Sequence, residues 1–362
     1  LRRLDENTGP DNFLHHAFKL ELDGDDWRQL EEQFLGSFAL IDRLPAAPRR
    51  TQNRSEPPTP APGEGEALED FANEPDTDFA LAHNVAWAKS IIERWETRVG
   101  DSAVEIPLRV AGEEIFEGRS VRDCLDPSRP GVVVGRYRRA NEEDVERALE
   151  SAGRDDGGWR AMSQRDRSGI LARVAQEIRI ARGDLMGAAL ADGGKTLAES
   201  DAEVSEAVDF LEFYRRSATE LHRISNLRAR GKGIVAVVPP WNFPIAIPCG
   251  GIAAALAAGN NAILKPASDA VLVAHELCKC FWRAGVPAEA LQFLPCSGAT
   301  VGSTLVTHLE VAVVILSGGT DTALSFLRAS PEMYLLAETG GKNSTVVTAL
   351  ADLEQAIKHV LH

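Results

Sequence analysis

The sequence Gly233-Ile234-Val235-Ala236-Val237-Val238-Pro239-Pro240-Trp241-Asn242-Phe243-Pro244 carries the clearest fold signal in this 362-residue chain. Its first half is a short apolar run, which predicts a strand over residues 234–238 that is buried on both faces. Its second half places the polar Asn242 between prolines that stiffen the loop. A helix of small residues is predicted next, over residues 247–258, ending at Gly259-Asn260. A strand followed at once by a helix is the repeating unit of a parallel sheet.

The same alternation continues to the end of the chain and predicts an α/β fold whose parallel sheet is covered by helices on both faces. Ligands of such sheets bind at the carboxyl ends of the strands. Asn242, Lys265, Gly318 and Glu338 each fall just past a predicted strand, so we expect them to converge on one crevice. The further predicted strands are 262–264, 291–294, 311–315, 334–336 and 344–347, and the further helices are 270–284, 301–307 and 320–329.

The preceding part of the chain is predicted to be mostly helical. Residues 17–44 mix exposed charges with apolar residues, which indicates a helix packed on another body. Residues 45–66 contain six prolines, which indicates an extended linker or arm. Beyond the linker, a strand is predicted over residues 132–136 and helices over 79–98, 141–151, 163–182 and 196–222.

Composition excludes several classes of function. The net charge of −15 argues against nucleic acid or an anionic membrane surface as the main partner. Residues 245–264 are apolar but interrupted by proline, glycine and asparagine, so a buried helix and strand are predicted there rather than an intrinsic membrane span. The eight histidines form no metal-ligand pair, so no metal site is predicted. Five cysteines without disulfide or zinc spacing indicate reduced thiols of a cytoplasmic protein: Cys124, Cys249, Cys278, Cys280 and Cys296.

Two side chains suit acyl-transfer chemistry. Asn242 could donate its amide N–H to a developing oxyanion, or it could cap the following helix. Glu338 stands beside Gly340 and Gly341, where a carboxylate could swing and activate water as a general base. Its alternative is a structural ion pair with Lys342.

Three further motifs suggest phosphate or ribose binding. Lys265 ends a strand and could hydrogen-bond ribose hydroxyls or a phosphate, or it could be a solvated lysine. Gly318-Gly319 opens a helix, where free backbone N–H groups could bind a pyrophosphate, or it could form a tight turn. Residues 193–196 (Gly-Gly-Lys-Thr) look like the end of a P-loop, but Ala189 stands where that motif needs glycine. Gly194 and Thr196 are instead predicted to separate two helices and to cap the second.

Taken in order, these motifs resemble the aldehyde dehydrogenase superfamily from about residue 107 to residue 362. The resemblance implies a variant Rossmann cofactor domain followed by a catalytic domain that the chain lacks. It assigns Asn242 to the oxyanion hole and makes Glu338 the base for deacylation. It also implies that the cofactor is bound by Pro240, Trp241, Lys265, Ser268, Gly318, Gly319 and Gly340.

The N-terminal third resembles a particular branch. Residues 2–7 (Arg-Arg-Leu-Asp-Glu-Asn) are similar to the last barrel helix of proline dehydrogenase, which implies substrate-binding roles for Arg2, Arg3 and Glu6. Residues 49–54 and 73–78 resemble the segment that joins the two enzymes of bifunctional proline utilization A. The implied organisation is a barrel remnant (1–16), a connecting arm (17–78), a helical part (79–230) and an NAD-binding part (231–362).

The resemblance implies a parent protein that oxidises proline with FAD and then oxidises glutamate γ-semialdehyde to glutamate with NAD⁺. A cysteine thiolate would attack the aldehyde, and hydride would pass to the nicotinamide. The expected partners are small-molecule substrates and, at full length, identical subunits and peripheral contact with a membrane. The alternatives are a monofunctional aldehyde dehydrogenase and a truncated module without activity.

The chain departs from the family pattern at three places. Family spacing puts the catalytic cysteine about ten residues beyond His362, and none of the five cysteines fits that position, so we expect no aldehyde oxidation by the chain as given. Ser268 replaces a frequent glutamate, which leaves NADP⁺ open as an alternative cofactor. Gly319 replaces a frequent serine and removes one possible pyrophosphate contact.

Overall fold

The computed structural model describes residues 13–17, 20–41, 47–48, 50–58, 67–68, 71–341 and 344–361. The chain forms two compact units, the first ending at Gln52 and the second beginning at Asn53. The first unit contains helices α1 (Phe13–Ala17) and α2 (Asp25–Phe38). Helix α2 buries none of its residues, and its Phe34 and Phe38 rings meet edge to face with centroids 5.3 Å apart.

The second unit is built on a seven-stranded sheet with the order β10-β9-β6-β7-β8-β2-β3. The first five of these strands are parallel; β2 then pairs antiparallel with β8, and β3 pairs antiparallel with β2. The predicted parallel α/β sheet is therefore confirmed, with an antiparallel edge that the sequence did not predict. The strands are β2 (Leu108–Val110), β3 (Glu113–Ile115), β6 (Ile234–Val238), β7 (Asn261–Leu264), β8 (Leu291–Phe293), β9 (Val311–Gly318) and β10 (Leu335–Thr339).

Both faces of the sheet are covered, because successive side chains of a strand point to opposite faces. Val235 and Val237 of β6 belong to one apolar cluster, which also contains residues of the helices that lie between positions 164 and 283. Ile234 and Ala236 belong to a second cluster. The helices of this unit are α3 (Ala82–Glu96), α4 (Glu142–Arg154), α5 (Gln164–Ile180), α6 (Arg182–Gly193), α7 (Leu197–Arg223), α8 (Ala246–Ala257), α9 (Val271–Arg283), α10 (Val301–Thr307), α11 (Thr320–Ala329) and α12 (Leu353–Leu361).

A second sheet of three strands has the order β1-β5-β4, with ranges Val104–Ile106, Val133–Arg138 and Val121–Leu125. Only β5 was predicted from the sequence. The other two strands are short, and β4 exposes four of its five residues, so they show neither an apolar run nor a clear alternation.

Three of the predictions were wrong. Residues 344–347 form no strand; Val346 is 83% exposed, so the apolar letters there do not reflect burial. The predicted helix over residues 163–182 is two helices, α5 and α6, with Ala181 between them. Strands β9 and β10 continue to Gly318 and Thr339, so Gly318 and Glu338 lie within these strands rather than beyond them.

The arm that precedes α3 is fixed to α7 by buried polar contacts. The backbone N–H and the hydroxyl of Thr77 both donate to the carboxylate of Asp201, at 2.5 and 2.6 Å. Asp201 also pairs with Arg182, at 2.8 Å, and both side chains are almost fully buried. Removing one of these partners would leave a buried charge uncompensated. The contacts therefore hold the segment around Thr77 on α7 within the second unit.

Residues 245–264 form α8 and β7, as predicted. Across the described ranges, the helices are too short or too polar to cross a membrane.

Candidate active site

The carboxyl ends of β6, β7, β9 and β10 open into one pocket of about 920 Å³, which is within the size range of cofactor pockets. The predicted convergence on a single crevice is therefore what the structure shows. Eight of the predicted site residues line this pocket: Pro240, Trp241, Asn242, Lys265, Gly318, Gly319, Glu338 and Gly340. Ser268 is exposed and does not line it. Arg2, Arg3 and Glu6 lie outside the described residues.

Asn242 stands in the loop between β6 and α8, and its side chain is exposed to the pocket. Among the described residues, nothing hydrogen-bonds to its carboxamide, whereas its backbone oxygen accepts a bond from Lys195 Nζ at 2.9 Å. Asn242 does not cap α8: the N-cap residue is Ile245, and no side chain forms a capping hydrogen bond there. The amide N–H of Asn242 is therefore available to a ligand.

Glu338 pairs in register with Ser317 of β9 and is exposed at the rim of the pocket. Burial raises the pKa of the Tyr214 phenol on α7, and the negative charge of Glu338 raises it further. The carboxylate of Glu338 on β10 is therefore near enough to the Tyr214 phenol on α7 to influence it electrostatically. Lys342, the alternative partner considered for Glu338, lies outside the described residues.

Gly340 turns the chain directly after β10, with φ +70°. Residues with a side chain rarely adopt this backbone conformation, and a Cβ there would lie 3.0 Å from the hydroxyl of Thr320. The turn thus keeps the backbone after Glu338 close to the start of α11.

Lys265 follows β7, and it is not a solvated lysine because it is only 8% exposed. Its Nζ donates to the carbonyl oxygen of Pro266 at 3.0 Å, and burial lowers the pKa of its ammonium group. A Cβ on Gly302 would lie 3.0 Å from Lys265 Cε, so a glycine at that position leaves room for the lysine stem. Such a cation lies where it can interact with hydroxyls or a phosphate of a ligand in the pocket.

The Gly318-Gly319 pair joins β9 to α11. Gly319 is the N-cap residue of α11, and no side chain caps the helix. A Cβ at Gly319 would meet only the Thr322 hydroxyl, at 3.8 Å, so the protein itself leaves space over this backbone. Uncapped N–H groups beside open space suit a pyrophosphate.

The five cysteines are all buried, and none of them lines the pocket. Burial raises the pKa of each thiol, to about 12 for Cys280. Since the thiolate is the nucleophile, these side chains are unsuited to attack a substrate in the pocket. Across the described residues no group of histidine, cysteine and carboxylate side chains could hold a metal ion.

Two residues that no sequence motif marked as functional, Lys195 and Glu203, support the site. Lys195 contacts the Asn242 loop, and the Glu203 carboxylate accepts bonds from the backbone of Ile245 and Ala246 at 3.0 and 3.3 Å. Their roles were hard to recognise from the sequence pattern. Lys195 follows a glycine pair that resembled a P-loop, and Glu203 is a charged residue on an amphipathic helix.

A sequence profile described as the Aldehyde dehydrogenase family matches residues 116–362. The chain therefore belongs to the aldehyde dehydrogenase family, as the resemblance of its motifs predicted.

Within this family the chain is similar to proteins named 1-pyrroline-5-carboxylate dehydrogenase. The protein of that name from Geobacillus thermodenitrificans is 31% identical over 312 residues, which cover 81% of this chain and 60% of the relative. One from Staphylococcus haemolyticus is 30% identical over 311 residues, which cover 80% of this chain and 59% of the relative. The chain thus spans about 60% of the length of the curated relatives it matches.

Two solved structures share the fold. The NAD-bound 1-pyrroline-5-carboxylate dehydrogenase from Thermus has a TM-score of 0.69 and 31% identity, covering 75% of this chain and 56% of that structure. Proline utilization A from Bdellovibrio bacteriovorus has a TM-score of 0.75 and 26% identity, covering 99% of this chain and 37% of that structure.

Proposed function

We propose that this chain supplies the cofactor pocket and half of the catalytic groups of an enzyme that oxidises L-glutamate γ-semialdehyde to L-glutamate with NAD⁺. The observation that carries the proposal is the convergence of Asn242, Lys265, Gly318 and Glu338 on one pocket at the carboxyl ends of parallel strands. The similarity to 1-pyrroline-5-carboxylate dehydrogenases supports the choice of substrate.

The residues of the pocket fit a dinucleotide. Lys265 would bind the adenosine ribose, the uncapped start of α11 at Gly319 would receive the pyrophosphate, and the exposed Trp241 would flank the cofactor. When bound, the nicotinamide accepts a hydride from the substrate. The exposed Ser268 supplies no carboxylate to reject a 2′-phosphate, so NADP⁺ is a second candidate cofactor.

Asn242 would donate its side-chain N–H to the oxygen that becomes negative when a nucleophile attacks the aldehyde carbon. Glu338 would then take a proton from a water molecule, which hydrolyses the acyl intermediate to the carboxylic acid. Strands β6 and β10 lie on either side of β9, and both side chains line the same pocket. The reacting carbon and its water would therefore bind between them.

The nucleophile, we propose, is a thiolate other than the five cysteines of this chain, because those five are buried away from the pocket. The same reasoning predicts that the chain as given binds NAD⁺ but does not oxidise aldehydes. We also propose cytoplasmic action on small molecules and self-association of the full-length enzyme.

The similarity to proline utilization A extends over 99% of the chain, including its N-terminal arm. This coverage supports a bifunctional parent that first oxidises proline with FAD, with Arg2, Arg3 and Glu6 at the proline site. A monofunctional aldehyde dehydrogenase would not require this arm.

The proposal is tested by assaying NADH formation by the protein expressed from the complete reading frame, with glutamate semialdehyde and with propanal as a matched simple aldehyde. We expect kcat/KM for glutamate semialdehyde to exceed that for propanal by at least about tenfold, and the 362-residue chain alone to form no NADH. Preference for propanal would refute the assigned substrate, and NADH formation by the chain alone would refute the assignment of the nucleophile.

A further inference from the structure

Lys195 occupies a fixed place between two helices. Helix α6 ends at Gly193, and Gly194 is in the left-handed conformation with φ 64°. Thr196 caps α7, and the Glu199 side chain completes a capping box. A Cβ on Gly194 would lie 2.8 Å from Pro127, so this turn is also packed from outside. The backbone of Lys195 is thereby held by the ends of both helices.

The Lys195 side chain binds the Asn242 loop. Its Nζ donates to the carbonyl oxygen of Asn242 at 2.9 Å and lies 4.6 Å from the centre of the Phe243 ring. The side chain is only 15% exposed. A hydrogen bond from a charged donor that is largely shielded from water is among the stronger ones in proteins.

Glu203 holds the other end of the same loop. One carboxylate oxygen pairs with Lys195, and the other accepts the backbone N–H groups of Ile245 and Ala246 at the start of α8. Glu203 is 3% exposed, and its negative charge lies at the positive end of α8. At the start of this loop the Lys195 ammonium group binds the carbonyl oxygen of Asn242. At its end the Glu203 carboxylate, which pairs with Lys195, binds the backbone N–H groups of Ile245 and Ala246.

We infer that Lys195 and Glu203 are positioning residues for the Asn242 amide, an inference that rests on the function proposed above. The carboxamide of Asn242 has no hydrogen-bond partner within the described part of the chain, so its direction is set by its backbone. Oxyanion donors act over a narrow distance range, and a shift of about 1 Å can cost about 100-fold in rate. The Lys195–Glu203 pair fixes that backbone without touching substrate.

The test is a double-mutant cycle that combines Lys195→Met with Asn242→Ala in the protein expressed from the complete reading frame. The measured quantity is the rate constant of the first NADH burst. We expect Asn242→Ala to lower it at least about 100-fold, the typical effect of losing one oxyanion donor. We expect Lys195→Met to lower it about tenfold or more, with the affinity for NAD⁺ changed by less than about threefold. In the Asn242→Ala background, Lys195→Met should have little further effect, because the donor it positions is gone.

Lys279→Met is the matched control, since Lys279 pairs with Glu276 on α9 and does not line the pocket. This control should leave the burst unchanged. Lys195→Arg, which retains a cation and donors, should recover part of the lost rate, and Glu203→Gln should slow the burst like Lys195→Met. Urea unfolding of each variant ensures that the compared proteins are folded.

The outcomes separate the two proposals. If Asn242→Ala leaves the burst unchanged, the proposed function is wrong. If Asn242→Ala slows the burst but Lys195→Met does not, only the positioning role is wrong. A Lys195→Met effect of equal size in both backgrounds would also overturn it, because the lysine would then act independently of Asn242.

Discussion

Asn242 and Glu338 reach the same pocket from strands on either side of β9, and neither side chain is buried. Their exposure suits groups that must contact a ligand, whereas the nearby Lys265 and Glu203 are buried and fixed by hydrogen bonds. At the scale of single residues the site thus combines exposed reactive side chains with buried supporting ones.

The buried carboxyl group of Asp192 should affect the stability of the protein. It accepts a hydrogen bond from the backbone N–H of Leu272 at 2.9 Å, at the start of α9. Burial raises its pKa to about 7. The folded state therefore disfavours the ionised form, so stability falls as the pH rises from about 4, where the unfolded carboxyl ionises, to about 7.

We expect the free energy of unfolding of Asp192→Asn, relative to the parent, to grow over that pH range by up to about 1.4 kcal/mol per pH unit. The amide keeps an oxygen for Leu272 but has no charge to titrate. Urea unfolding at several pH values measures this difference. The buried His275, whose pKa burial lowers to about 3, acts in the opposite direction but cancels because both proteins contain it. A difference that does not change with pH would contradict the assignment.

At the scale of elements, the strands that carry the site were the most predictable part of the chain. The apolar run of β6 is buried at every residue, so its letters report its environment directly. By contrast, β2 and β3 have three residues each, too few to show a periodic pattern, and β2 joins the sheet through β8, which is distant in sequence. Lys195 and Glu203 escaped notice for the same reason, because their partner in the Asn242 loop is distant in sequence.

The two glycine turns beside the pocket should respond differently to alanine. Gly340→Ala should lower the free energy of unfolding by about 1 kcal/mol or more, because the residue has φ +70°. Gly319→Ala should change it by less than about 1 kcal/mol: alanine is a poorer N-cap residue than glycine, but at φ −71° it fits without strain and lowers the entropy of the unfolded chain. However, its methyl group should weaken NAD⁺ binding several-fold if the pyrophosphate approaches that backbone.

Urea unfolding and NAD⁺ titration of both variants make this comparison. Gly341→Ala is the control, because a Cβ there meets nothing within 4 Å. Unaltered NAD⁺ affinity in Gly319→Ala would move the pyrophosphate away from the start of α11.

At the scale of the whole molecule, a parallel sheet brings side chains from four separate strand ends to one edge, and the chain belongs to the aldehyde dehydrogenase family. The sequence motifs were sufficient to predict that fold and eight of the residues that line the pocket. They did not predict the supporting pair Lys195 and Glu203, and Ser268, which was predicted to bind the cofactor, does not line the pocket. The catalytic roles of the pocket residues remain predictions, and they depend on a thiolate nucleophile other than the five buried cysteines.

In the proposed mechanism Glu338 acts after the first chemical step, as the base for deacylation. The most direct test is rapid mixing of glutamate semialdehyde and NAD⁺ with the Glu338→Gln variant of the protein from the complete reading frame. We predict a first burst of NADH of about one equivalent per site, followed by turnover reduced at least about 100-fold. Loss of the burst together with turnover, or turnover at the parent rate, would contradict this role of Glu338.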